Sequence, residues 1–183
     1  MIMSAIPNFL TVFRFFLVYP IVISILEQNY HASLFFFFLA GISDFLDGFL
    51  ARKYSWESRF GKIFDPISDK ALVIATLFSL SLVGEINIYV TMFLLSRDLF
   101  IVVGVILSSL LLDEYEIKPY VSGKINTFVL IAYLGFIILN VSFKLVPEIF
   151  LNFLLIFLLI TSVYSSLQYL NNPGRKVISQ IFF

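Results

Sequence analysis

Asp44, Asp47, Asp65 and Asp69 are the residues in this chain whose type and spacing point most directly to chemistry. The first two are three apart and the second two are four apart, so on helical backbone each pair shares a face. If the two helices fold back on each other, the four carboxylates meet at one depth. Four like charges that close cannot all stay ionised without cations. One or two divalent ions with oxygen ligands, of the kind magnesium accepts, answer that need. Gly48 and Ala51 lie on the neighbouring face, and Gly61 precedes Asp65 by one turn. Such small residues let a backbone or a ligand approach closely. Arg52, one turn past Gly48, is placed to fork onto a phosphate. The set describes a diphosphate site, where two metal ions neutralise the phosphates and stabilise a leaving oxygen. The bland readings are a helix cap for Asp65, which precedes Pro66, and snorkelling surface charges for Asp44 and Asp47. Ionisable residues inside membrane spans are costly and usually functional, and four at paired spacings outweigh those readings.

The elements that carry these residues belong to a membrane. Of the 183 residues 60% are hydrophobic and 13% are charged, against about a quarter charged in soluble domains. The 23 Phe residues are spread along the chain, as an extended lipid-facing surface requires. Cys is absent and His31 is the one histidine, which excludes thiolate sites and multi-histidine sites within one chain. Any metal must then be held by oxygen, which suits magnesium or manganese. A formal net charge of zero gives no field that favours nucleic acid. The first thirteen residues contain no Lys or Arg, so neither a cleavable signal peptide nor an Arg-rich transit peptide is expected.

Six apolar segments are long enough to span, at about 7–27, 32–50, 63–83, 87–111, 121–142 and 147–169. Turn signals separate them at Gln28–Tyr30, Gly84–Asn87 and Lys144–Glu148, and Asn171–Gly174 follows the last. Arg52, Lys53, Arg59 and Lys62 lie between spans two and three, Lys118 and Lys124 between four and five, and Arg175 and Lys176 in the tail. The opposite loops hold only Lys144. The positive-inside rule therefore puts both termini and the even-numbered loops in the cytoplasm, with Trp56 as an interfacial anchor. The expected fold is all-α and integral to the membrane. It is a six-transmembrane-helix bundle with its active site at the cytoplasmic side of spans two and three.

The pattern Asp44-x2-Asp47-Gly48-x2-Ala51-Arg52-x8-Gly61-x3-Asp65-x3-Asp69 resembles the complete signature of the CDP-alcohol phosphatidyltransferases, matching at eight positions over 26 residues. The resemblance implies a single domain of that family over residues 1–183, usually a homodimer, in a bacterial inner (plasma) membrane. It implies two divalent cations, Mg2+ or Mn2+, held by Asp44, Asp47, Asp65 and Asp69 around the diphosphate of CDP-diacylglycerol. Asp69 would also be the general base on the acceptor hydroxyl. Gly48, Ala51, Arg52 and Gly61 would shape the nucleotide pocket, and CMP would leave.

The acceptor rests on looser features. Arg14, in an N-terminal stretch similar to the phosphatidylglycerophosphate and cardiolipin synthase branches, is either an acceptor contact or a snorkelling charge. Arg97, beside Asp98 in span four, is either an acceptor contact or half of a structural ion pair. Lys124 and Asn126 open span five, Lys124 being equally an ordinary positive-inside anchor. Phosphatidylglycerophosphate synthases typically carry a second Arg in span four and a second Lys in span five. Here residues 99–112 contain no Arg and Asn126 replaces that Lys. A phosphomonoester carries close to two negative charges, so losing two cations favours phosphatidylglycerol as acceptor, with glycerol 3-phosphate as the alternative. A cation- or proton-coupled transporter is the competing class, since it too places acids inside spans. A structural subunit retaining an unused motif is less consistent with four intact aspartates.

Overall fold

The computed structural model describes residues 5–54, 59–111 and 121–169. They form six helices: α1 Ala5–Leu26, α2 Tyr30–Tyr54, α3 Arg59–Leu82, α4 Ile88–Leu111, α5 Val121–Phe143 and α6 Glu148–Tyr169. Each lies where an apolar segment predicts one. α2 and α3 differ at their facing ends, running past residue 50 and starting before residue 63. The whole eight-position motif is thereby carried on helical backbone. Trp56, Lys118, Arg175 and Lys176 lie outside the described residues.

Helix ends follow from local chemistry. Gln28, Gly84 and Lys144 take the left-handed conformation, with φ of 58°, 88° and 55°. This conformation turns the chain out of α1, α3 and α5 and lets the next amides reach back to late carbonyls. After α1 the Asn29 amide donates to the Ser24 carbonyl at 2.8 Å, and after α3 that of Glu85 donates to Leu80 at 3.0 Å. Asn29 also starts α2, its side-chain oxygen accepting from the Ala32 amide at 3.3 Å. Pro147 precedes α6, where a missing amide hydrogen costs nothing.

Four of these helices are long and apolar enough to cross a membrane: α1, α2, α5 and α6. α2, α3 and α4 each carry ionisable residues within their length, among them Asp44 and Asp47, Asp65 and Asp69, and Arg97 and Asp98. The chain divides into two compact units. One comprises α1, α2, α3 and the part of α5 from Leu134. The other comprises α4, the part of α5 up to Tyr133, and α6.

In the first unit α1 packs against both α2 and α3. Its buried residues are Thr11, Arg14, Leu17, Ile21, Ser24 and Ile25, a stripe at helical spacing. Phe9, Phe16 and Tyr19 face outward. The stripe is polar in its first turns and apolar thereafter. Ile21 and Ile25 join Leu77 and Leu80 of α3 among the fully buried side chains. Small polar residues let the backbones approach, and Ser43 and Ser79 return their hydroxyls to carbonyls three and four residues back, at 2.7 Å each.

Packing and lipid exposure are therefore separable by mutation. Ile21→Ala is expected to lower the stability of the solubilised protein by about 2–4 kcal/mol, read as a fall in thermal midpoint. Phe16→Ala, at a side chain 68% exposed, is expected to stay within about 0.5 kcal/mol of wild type.

Candidate active site

The polar end of α1 faces the four aspartates. Asp44 and Asp47 project from the second half of α2, and Asp65 and Asp69 from the first half of α3. Thr11 Oγ1 donates to Asp65 Oδ1 at 2.5 Å. One turn later the Arg14 guanidinium donates to Asp69 through Nη1 and to Asp47 through Nη2. The same Nη1 lies 3.0 Å from Asp44 Oδ1. Two residues of α1 thus touch all four aspartates. Pairing Thr11 with Asp65 and Arg14 with Asp69 means that α1 and α3 run in the same direction here. The Ser68 hydroxyl, donating to the Thr11 carbonyl at 3.3 Å, ties α3 to α1 within the same stretch.

Exposure divides the carboxylates. The Arg14 and Asp47 side chains are 1% and 8% exposed, whereas those of Asp44 and Asp69 are 58% and 44% exposed. The cluster is closed underneath and open on one side. One guanidinium against four carboxylates leaves negative charge in excess. That excess, hard oxygen donors and an open side fit divalent cations by donor chemistry. Among the described residues, however, no three such side chains already stand in a metal-holding arrangement. Three of the carboxylates converge on Arg14 and the fourth on Thr11.

Several bland readings are resolved by this geometry. Asp65 sits inside α3 with its carboxylate engaged by another helix, so it is not a cap. Arg14 is buried and triply paired, so it does not snorkel. It stands with the aspartates. Gly48 is half-buried on α2 and Gly61 is buried on α3. Ala51 and Arg52 continue α2 by a further turn, and their side chains lie outside the described residues.

The second unit contains a polar seam of its own. Arg97 is buried, with Nη1 donating to Asp98 Oδ1 and Nη2 to Ser165 Oγ, both at 2.6 Å. Among the described residues its Nε has no hydrogen-bond partner. Asn126 is also buried, and its side-chain oxygen accepts from Thr161 at 3.0 Å and from Ser162 at 2.7 Å. Ser122 donates to Gln168 at 2.6 Å. Lys124, two positions from Asn126 and so on the opposite side of α5, is exposed and is not brought into this seam.

Thr11 and the α6 residues Thr161, Ser162, Ser165 and Gln168 escaped the sequence reading. Signals existed for both. Thr11 precedes Arg14 by three, hence on one face, and the hydroxyls of α6 interrupt an otherwise apolar helix at helical spacing.

Known proteins share this arrangement of sequence. Residues 4–165 match the family described as CDP-alcohol phosphatidyltransferase. A CDP-diacylglycerol--glycerol-3-phosphate 3-phosphatidyltransferase of Aquifex aeolicus is 35% identical over 176 residues, covering 94% of this chain and 97% of that enzyme. One of the same name from Mycoplasma genitalium is 31% identical, covering 86% of this chain and 75% of that enzyme. The human CMP-forming cardiolipin synthase is 29% identical, covering 96% of this chain and 64% of that enzyme. With the family matched over most of its length and its signature carried on α2 and α3, the chain belongs to the CDP-alcohol phosphatidyltransferases.

Proposed function

We propose that this enzyme of phospholipid synthesis transfers the phosphatidyl group of CDP-diacylglycerol to glycerol 3-phosphate and releases CMP. The observation that carries the acceptor is the nearly end-to-end similarity to the Aquifex enzyme, whose name specifies glycerol 3-phosphate. The cations absent from spans four and five favour phosphatidylglycerol, but Asn126 does not stand for a lost acceptor charge. Two hydroxyls of α6 occupy that side-chain oxygen. The position therefore has a packing role, and its lack of charge says little about the acceptor. Phosphatidylglycerol remains the second reading because the human cardiolipin synthase is similar over 96% of this chain. A transporter does not fit membership of this family.

In this reading the six helices all span the membrane, with the aspartate cluster at the cytoplasmic face of a bacterial inner membrane, and the enzyme is a homodimer. Asp44, Asp47, Asp65 and Asp69 hold two divalent cations, Mg2+ or Mn2+, which neutralise the donor diphosphate and stabilise the departing oxygen. Gly48, Ala51, Arg52 and Gly61 bind the cytidine nucleotide. Asp69, partly open while Asp47 is buried, removes the proton of the acceptor hydroxyl. The acceptor oxygen then forms a bond to the phosphorus that bears the diacylglycerol. The bond from that phosphorus to the bridging oxygen breaks, and CMP carries the electron pair away. Arg97 supplies a buried positive charge for the acceptor phosphate, and Ser165 fixes its orientation.

Purified enzyme given CDP-diacylglycerol and magnesium is expected to release CMP fastest with glycerol 3-phosphate in a panel that includes phosphatidylglycerol, inositol phosphate and serine. A clear preference for phosphatidylglycerol would restore the second reading. Asp69→Asn is expected to slow CMP release by about 10²–10⁴-fold with every acceptor, the range for a lost general base. Ser165→Ala is expected to raise the KM for acceptor by about three- to tenfold, as loss of one hydrogen bond to a charged group would. The KM for donor should not move. Equal rises in both constants would mean that the seam is structural.

A further inference from the structure

Arg14 is a permanent cation standing among three of the carboxylates that the proposed function assigns to divalent ions. The inference that follows rests on that assignment. Oxygen lone pairs turned toward a guanidinium are not free to meet the near-octahedral demand of magnesium. A second cation entering beside the first would also be repelled across a short, poorly solvated distance. Arg14 cannot relieve this by losing a proton, because a guanidinium stays charged in proteins. It has to move.

The surroundings allow that movement. Among the described residues the Arg14 Nε has no hydrogen-bond partner, so none of them holds the inner edge of the guanidinium. Asp44 is exposed and Asp69 partly so, which gives an entering ion a route to their oxygens. Thr11 holds Asp65 independently, so this aspartate stays in register with α1 while Arg14 departs.

We infer that Arg14 is a tethered place-holder: it gathers Asp44, Asp47 and Asp69 in the metal-free enzyme, and divalent cations displace it from them on binding. The carboxylates are thereby kept together before any metal arrives. The site in turn binds metal less tightly than the same carboxylates would without a competing internal cation.

The test is metal affinity in the full-length enzyme, stripped of metal and titrated with Mn2+ while free Mn2+ is followed by electron paramagnetic resonance. Arg14→Gln is expected to bind Mn2+ at least about tenfold more tightly than wild type, because a competing charge has been removed. Without metal the variant should melt below wild type, and saturating Mn2+ should raise its midpoint by more than it raises that of wild type. If Arg14→Gln does not yield folded protein, Arg14→Lys carries the test. Its compact ammonium spans fewer carboxylates and should also leave Mn2+ bound more tightly than in wild type. Equal or weaker Mn2+ binding in the folded variant overturns the exchange. Should Asp47→Asn lose Mn2+ binding while Arg14→Gln matches wild type, the exchange fails and the assignment of the aspartates stands. Should Asp47→Asn bind Mn2+ as wild type does, the assignment fails and the exchange falls with it.

Discussion

A carboxylate buried in a largely apolar helical unit needs a positive partner, and for Asp47 that partner is Arg14. Removing one member of a buried ion pair strands the other in a poorly solvating medium, at a cost of about 3–5 kcal/mol. That constraint fixes the register of three helices. α1 must offer Arg14 at the depth of Asp47 and Asp69, α2 must reach far enough to supply Asp44 and Asp47, and α3 must start early enough to place Asp65 and Asp69 within its first turns. Thr11 and Ser68 repeat the registration one turn away. The apolar stripe of α1, from Leu17 to Ile25, packs the rest of the unit against the same two helices.

The other unit meets the problem of a buried cation differently. Arg97 is balanced by its neighbour Asp98, and a hydroxyl of α6 takes one remaining donor. The Asn126 side-chain oxygen is met by two hydroxyls of α6. Charge is thus balanced within α4, while hydrogen bonds from α6 orient what it carries. In the first unit one guanidinium must serve carboxylates on two helices, so negative charge is left over. Among the described residues, negative charge is therefore in excess at the aspartate cluster and not around Arg97.

Much of this was legible in the sequence, for physical reasons. Helix positions followed from runs of apolar residues long enough to span, and their ends from Asn29, Gly84 and Pro147. The pairing of the aspartates followed from three- and four-residue spacing. What escaped was long-range partnership. Nothing in residues 11–14 states that they face Asp65 and Asp69, more than fifty positions away, and an arginine near a membrane boundary reads equally well as a snorkelling charge. Asn126 misled for the complementary reason: a missing positive charge was legible, whereas the two hydroxyls that give the residue a packing role lay on another helix. Family membership was readable from the motif, since its eight positions lie on two neighbouring helices. The acceptor was not, because acceptor contacts are scattered over elements whose partners only folding reveals.

If cations held by the four aspartates carry the transfer, the purified enzyme stripped of metal should release no CMP from CDP-diacylglycerol and glycerol 3-phosphate, and adding back Mg2+ or Mn2+ should restore full release. Undiminished CMP release from the stripped enzyme would show that the transfer does not depend on those cations.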